Sequence, residues 1–560
     1  MSEKEQAKVI CPQGNYVLLY SMEGYALRGT KRALLRRLTQ EKADAPVGWT
    51  LFQLGGESRL ADAQTKAASL KSADYISWVK ENKTMEIHGV PAEEPFTFCV
   101  YTESCDFTDV SAPGTYVLCV EWPGGEFLCS RPFLITERPL TQVLKALTVE
   151  NAHARYANDT EKGGFYDCNN PFGEAYSHGT FLYGLCNYAQ QRGTLLSADE
   201  RRDVLWAAQV AFDYLMTLMD TETGEICYCA GERPGDAEHN SGIHNSMEAL
   251  EGLAAFMDTF HNDDPARANR ENLDKLCRTM NYIDGRLKND GFYHGEWKLT
   301  VLCRLYRAFG EAWMFDEARE LGKKVIALPT HPLGGGGCVT SFIEGLWLLG
   351  KIDPEFTRTL EFKQRMDSWK QDASWIVENS AYHFPQIAGK LEALKSEYLG
   401  MMVRAWQIYW TLNQGIEEIG LDACFLWELT GDSAFEKIAA GALHYITGVN
   451  FGIPQGLATE KTDVGPLTCA SFIGNAYGGI IPWLDWGFEM KNTTWASIVN
   501  GYKLENRPVA SVMNGYPTGR CDYVYTHLHW QTGETFIRMD GVMAYAGALY
   551  ERLVNKEKLW

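Results

Sequence analysis

A change of hydrophobic period near Pro139 limits what this chain can fold into more than any other feature of it. Before that point, apolar residues come in short runs broken by Gly, Pro, Asp and Ser. After it they recur at i, i+3 and i+4 over long stretches, the spacing that lays an apolar stripe along a helix. Two units follow: residues 1–137 built from strands and residues 138–560 built from helices.

The strand-like runs are Tyr16–Leu19, Ala33–Leu35, Phe96–Tyr101, Tyr116–Val120 and Phe127–Ile135. Short strands separated by turns such as Trp122-Pro-Gly-Gly-Glu126 predict a small all-β sandwich. Ala61–Ser77 fits either a helical excursion or a loop. The helical runs are Thr141–Ala154, Tyr176–Gln191, Ala198–Met219, Ser246–Phe260, Arg267–Lys288, Trp297–Phe309 and Phe315–Leu328. They continue with Thr340–Leu349, Pro354–Glu378, Gly389–Leu412, Gly415–Leu429, Ser433–Gly448 and Gly541–Val554. Ser197 and Asp432-Ser433 supply N-cap chemistry. So many helices joined by Gly-, Asn- and His-rich loops exceed one simple bundle. They predict helical hairpins closing a six-hairpin toroid, an all-α (α/α)6 barrel, with function carried by loops at one end. Residues 450–535 break the rhythm and are rich in Gly, Trp, Tyr, Asn and Thr, a length and composition expected of a functional segment.

The net charge of −20 and the scattered basic residues argue against nucleic acid as a partner. The densest basic run, Lys31–Arg37, has a short apolar centre and reads as a strand rather than a phosphate site. No stretch approaches the roughly 18 consecutive apolar residues of a membrane span. The start MSEKEQAKVICPQG has no apolar leader core, and the 15 cysteines are scattered. Cys119, Cys186 and Cys303 sit in apolar runs and read as reduced core thiols. Together these predict a cytoplasmic protein. Cys227-Tyr-Cys229 lacks the second pair that a zinc site needs. Gly334–Gly337 lacks the Lys-Ser/Thr of a phosphate loop and reads as a flexible rim loop. No metal or cofactor is expected, and the sequence leaves the oligomeric state open.

Two resemblances join these readings. Gly24-Tyr25, Lys31–Leu35, Cys105–Val110, Pro113-Gly-Thr-Tyr116 and Ser130–Ile135 resemble the N-terminal immunoglobulin-like domain of cellulase-type enzymes. Gly163-Gly-Phe-Tyr-Asp167, Ala440–Asn450 and Gln531-Thr-Gly-Glu534 resemble, in that order, motifs of glycoside hydrolase family 9. The second resemblance implies an (α/α)6 barrel and inverting hydrolysis. There one carboxyl protonates the leaving oxygen while another, roughly 6.5–9.5 Å away, activates water. It makes Glu534 the acid and Asp167 the probable base. The chain departs from that family at Asn170, which stands where the water-activating Asp would be, because an amide cannot take a proton from water. Glu174, Glu460 and Asp463 are alternative bases. The family's His-His-Arg segment has no counterpart; Gly456–Pro466 follows instead.

Sugars stack their CH faces on aromatic rings and pair their hydroxyls with polar groups. Tyr477, Trp483, Trp486 and Trp530 are candidate platforms. Asn170, His178, His239 and His244 are candidate polar contacts, while Arg520 and Arg538 could meet an anionic group or form ion pairs. The expected partner is an oligosaccharide. The leading reading is a hydrolase trimming short β-linked oligosaccharides. The alternatives are an oligosaccharide lyase on a related helical toroid and a carbohydrate-binding homologue that has lost hydrolysis.

Overall fold

The computed structural model describes residues 16–37, 46–54, 59–60, 68–69, 86–87, 90–91, 102–130, 132–157, 163–167, 173–231, 242–288, 296–328, 342–379, 383, 412–449 and 536–557. Its N-terminal part forms two sheets. In chain order the strands are β1 (Tyr16–Leu19), β2 (Tyr25–Ala26), β3 (Arg32–Arg37), β4 (Gly48–Leu54), β5 (Arg59–Leu60) and β6 (Ala68–Ser69). A two-stranded ribbon, β7 (Glu86–Ile87) and β8 (Val90–Pro91), precedes β9 (Thr102–Asp106), β10 (Gly114–Glu121), β11 (Phe127–Cys129) and β12 (Phe133–Thr136). One sheet runs β1-β3-β9-β6 and the other β2-β12-β10-β4-β5, with β11 also on β10. Between them lies a core of Leu35, Leu51, Leu118, Phe133 and Ile135 around Tyr25.

The basic run is strand β3, and its alternation explains its composition. Ala33 and Leu35 enter the sandwich core, while Leu34 points the other way into the helical core. Lys31 is buried, and its ammonium donates to the carbonyls of Leu27 and Gly29, both at 2.9 Å. Phe127–Ile135 is two strands rather than one: β11 and β12 pair with successive parts of β10, and Pro132 between them has no N–H to extend a ladder. Gly48–Leu54, not recognised above, is a full strand that alternates Trp49 and Leu51 inward. Phe96–Tyr101 lies outside the described residues.

Cys119 is not a thiol. The β10–β11 register sets Cys119 opposite Cys129, and the two form a disulfide. Spacing alone hides this, since a hairpin register pairs residues that sit in two different strands.

The helical part opens with α1 (Thr141–Lys145), a π-helical turn (Ala146–Glu150) and α2 (Asn151–Arg155) in one continuous run. It continues with α3 (Ala175–Arg192), α4 (Ala198–Leu218), α5 (Gly242–Phe260), α6 (Arg270–Leu287), α7 (Glu296–Phe309) and α8 (Ala312–Ala327). The remainder are α9 (Phe342–Ile352), α10 (Leu360–Asn379), α11 (Leu412–Thr430), α12 (Ser433–Ile446) and α13 (Ile537–Val554). A capping box at Ser197 starts α4, and Asp432 caps α12. Helix α10 begins at Leu360 because Pro354–Thr359 is taken up by a turn of 3-10 helix. Helix α13 begins before Gly541, and Gly389–Leu412 lies outside the described residues except at its last position.

Six of these helices close a ring. Helix α3 packs on α5, α5 on α7, α7 on α9, α9 on α11, α11 on α13, and α13 back on α3. The others lie outside: α1–α2 against α13 and α4, α4 and α6 on α5, α8 on α7 and α9, and α12 on α11 with α10 beside it. Bonds at matching depths show that the inner helices run the same way. Thr180 meets Glu248, Gln190 meets Asp258, Tyr545 meets Glu344, and Arg552 meets both Gln191 and Glu428. The starts of α3 and α5 therefore lie at one end of the ring, and their ends, with those of α11 and α13, lie at the other. This is the double ring of an (α/α)6 barrel.

The sandwich is fastened to the barrel through α12 and α13. Tyr25 meets the ring of His444 at 4.7 Å, Ser21 Oγ bonds Thr447 Oγ1 at 2.7 Å, and Glu436 accepts from Thr30 and from Tyr550. Peptide mapping of alkylated, unreduced protein is expected to recover Cys119 and Cys129 in one cross-linked fragment. Recovery of both as alkylated thiols would remove the bond.

Candidate functional site

The end of the barrel at which α3 and α5 start holds the Asp167 loop. Gly163 and Gly164 turn the chain with φ of +70° and +77°, a region open to glycine. A Cβ on Gly164 would also come within 2.8 Å of His178 Nε2. The turn lets Phe165 bridge back to Tyr156 and aims Asp167 at α13. Asp167 is fully buried, and its carbonyl accepts from the Ile537 amide at 2.8 Å and from Arg155 Nη1 at 3.2 Å. Ile537 stands three residues after Glu534 in the sequence.

Around this loop, several polar groups converge from the starts of inner helices. Glu174, just before α3, accepts from Tyr228 and from Ser177. Arg538 on α13 lies over the Tyr176 ring at 4.8 Å and pairs with Glu248 of α5 at 2.9 Å. Thr180 donates to the same Glu248 oxygen at 2.8 Å. Arg538 is thus engaged in an ion pair within the protein. On α11, Glu417 is fully buried, and neither oxygen has a hydrogen-bond partner among the described residues. Burial, reinforced by Asp540, holds its carboxyl well above the usual range.

His178 is wholly buried, with both ring nitrogens committed to backbone. Nε2 accepts from the Phe165 amide at 2.8 Å, and Nδ1 donates to the Glu174 carbonyl at 2.8 Å. In this arrangement it fastens the loop to α3. His244 is exposed near the start of α5, at the same end of the barrel. Glu534, Asn170, His239, Tyr477, Trp483, Trp486, Trp530 and Arg520 lie outside the described residues, as do Glu460 and Asp463. Among the described residues, no group of three or more His, Cys, Asp or Glu side chains is placed to hold a metal. Sequence reasoning missed Glu248, Glu417, Asp540, Asn151 and Arg155. For Glu248, Glu417 and Asp540 the available signal was polar residues within largely apolar helices, as in Glu248-Ala-Leu-Glu251 and Glu417-Glu418.

No protein-family model matches the chain, and no curated protein sequence matches it. Solved structures do. A metagenome-derived glycoside hydrolase family 9 endoglucanase superposes with a TM-score of 0.62 at 14% identity, covering 96% of this chain and 99% of that one. Glycoside hydrolase family 9 endoglucanase J30 gives 0.61 at 13% identity, covering 94% and 99%. The chain has a family 9-like fold across nearly its whole length.

Burial lowers the pKa of His178 from 6.5 to about 4, against the smaller opposing effect of its bond to Glu174. The unfolded chain takes this proton near pH 6.5 while the folded chain resists until about pH 4. The stability from His178 is therefore complete above pH 6.5 and is lost as the pH falls toward 4, by about 3 kcal/mol. Urea melts at pH 7 and pH 4.5 are expected to show a larger loss for the wild type than for His178→Gln. Equal losses would mean that His178 titrates normally.

Proposed function

We propose that the chain is a glycoside hydrolase acting on β-linked gluco-oligosaccharides, with Glu534 as proton donor and Asp167 as base. The fold likeness supports the class. The observation that carries the assignment is the hydrogen bond from the Ile537 amide to the Asp167 carbonyl. It ties the loop bearing one carboxyl to the helix that follows the other in the sequence. An inverting reaction needs two carboxyls on opposite sides of the scissile bond, separated by enough room for water. The N-terminal sandwich is read as the immunoglobulin-like module that accompanies such barrels. Asn170 is assigned to orienting water or a sugar hydroxyl, and Tyr477, Trp483, Trp486 and Trp530 to stacking.

Asn170 also favours a second reading, a carbohydrate-binding protein without turnover. Incubation with β-1,4-linked gluco-oligosaccharides separates the two. Hydrolysis is expected to release reducing ends, with the first product formed in the inverted anomeric configuration by NMR. Asp167→Asn and Glu534→Gln are each expected to lower kcat by about 10²–10⁴-fold. Near-wild-type turnover in either variant removes that residue from the mechanism. Binding without product supports the second reading, and an ultraviolet-absorbing unsaturated product would indicate a lyase.

A further inference from the structure

Behind the Asp167 loop, a line of polar side chains runs through otherwise apolar packing. Arg155, at the end of α2, donates through Nε to Asn151 Oδ1 at 2.8 Å. Its Nη1 donates to the carbonyls of Tyr166 and Asp167, each at 3.2 Å. Asn151 Nδ2 in turn donates to Asp540 Oδ2 on α13. Asn151 and Asp540 are fully buried, and Arg155 is 4% exposed. An amide suits the middle position because its oxygen accepts from a cation while its nitrogen donates to an anion. The guanidinium and the carboxylate are thereby coupled across one residue. The Ile537 amide, one turn before Asp540, closes the circuit on the Asp167 carbonyl.

We propose that Arg155, Asn151 and Asp540 form a positioning clamp that fixes the Asp167 backbone against the start of α13. All three are positioning residues that act through backbone, and the inference rests on the reading of Asp167 and Glu534 as the working carboxyls. Buried ionic groups are costly unless fully bonded, so this line sits in a barrel wall for its geometry rather than for gross stability. The relation it holds is between two chain segments far apart in sequence, the one on which a reaction needing two placed carboxyls depends.

The test uses the full chain and two independent readouts. Asn151→Asp sets two carboxylates face to face. It is expected to speed hydrogen exchange at the Ile537 amide by about tenfold, as loss of one good hydrogen bond would. It is also expected to lower kcat on β-1,4-linked gluco-oligosaccharides by about a hundredfold, with KM within about twofold. The swapped pair, Asn151→Asp with Asp540→Asn, restores the sequence of cation, acceptor and donor and is expected to recover most of both losses. Arg155→Lys keeps the charge but not the fork, and it serves if Asn151→Asp fails to fold. Unchanged Ile537 exchange in a folded single variant overturns the clamp, as does a swapped pair no better than Asn151→Asp alone. If the wild-type chain hydrolyses nothing, the functional reading fails while exchange still decides the clamp.

Discussion

Two pairs of glycines set the spacing on which the rest of the barrel depends. A Cβ on Gly184 of α3 would stand 2.3 Å from the backbone of Gly541 on α13. A Cβ on Gly252 of α5 would stand 2.2 Å from the carbonyl oxygen of Gly179 on α3. Neither contact can be relieved by turning a side chain, because the obstruction is backbone. Each helical glycine costs about 1 kcal/mol relative to alanine, a cost offset by letting three inner helices approach closely. That approach puts Thr180 on Glu248, Arg538 between Glu248 and Tyr176, and Asp167 on Ile537. The glycines thus set the geometry of the functional end without entering it.

Close packing also explains the polar residues deeper in the inner ring. Arg304 is fully buried, yet it pairs with Glu344 and Asp258 and bonds Asn187. Tyr183 on α3 and Tyr545 on α13 donate to the two oxygens of Glu344 at 2.8 and 3.0 Å. Removing one member of such a set would leave an uncompensated charge at a cost of about 3–5 kcal/mol. Two turns before Asp258 on α5, Glu251 is fully buried without a hydrogen-bond partner among the described residues, and burial holds its carboxyl well above the usual range, with Glu344 adding to it. The inner ring is therefore apolar toward the outer helices and polar toward its axis.

The fold was largely legible because each ring helix carries an apolar stripe long enough to reveal its period. The change near Pro139 falls between the last strand, β12, and the first helix, α1, and Tyr16–Leu19 is a strand to the residue. What stayed hidden depends on pairing across the chain. Cys119 reads as a core thiol until β10 and β11 are set in register. Strand β4 was missed although Gly48-Trp-Thr-Leu-Phe-Gln-Leu54 alternates, because its inward residues are as few as those of a turn-rich loop. At the site, Gly163-Gly164 marked the loop correctly. Arg155 and Asn151 did not stand out, since one Arg and one Asn on a short helix are indistinguishable by spacing from a solvated face. His178 was legible as a residue near the loop but not in its role, which depends on the tautomer that its two backbone partners impose.

The departure at Asn170 narrows the chemistry in a specific way. An amide can orient a water molecule through either of its ends but cannot receive the water's proton. If the chain hydrolyses, that proton must pass to a carboxylate. Among the described carboxyls near the loop, Glu174 already accepts from Tyr228 and Ser177, one at each oxygen. Glu248 is engaged by Arg538 and by Thr180. Asp167 has the other requirement of a base, a backbone pinned from two sides by Ile537 and Arg155. Under the proposed hydrolase reading, one aspartate whose backbone is held from two sides and an asparagine beyond it take the place of the family's two aspartates, and proton capture is assigned to Asp167.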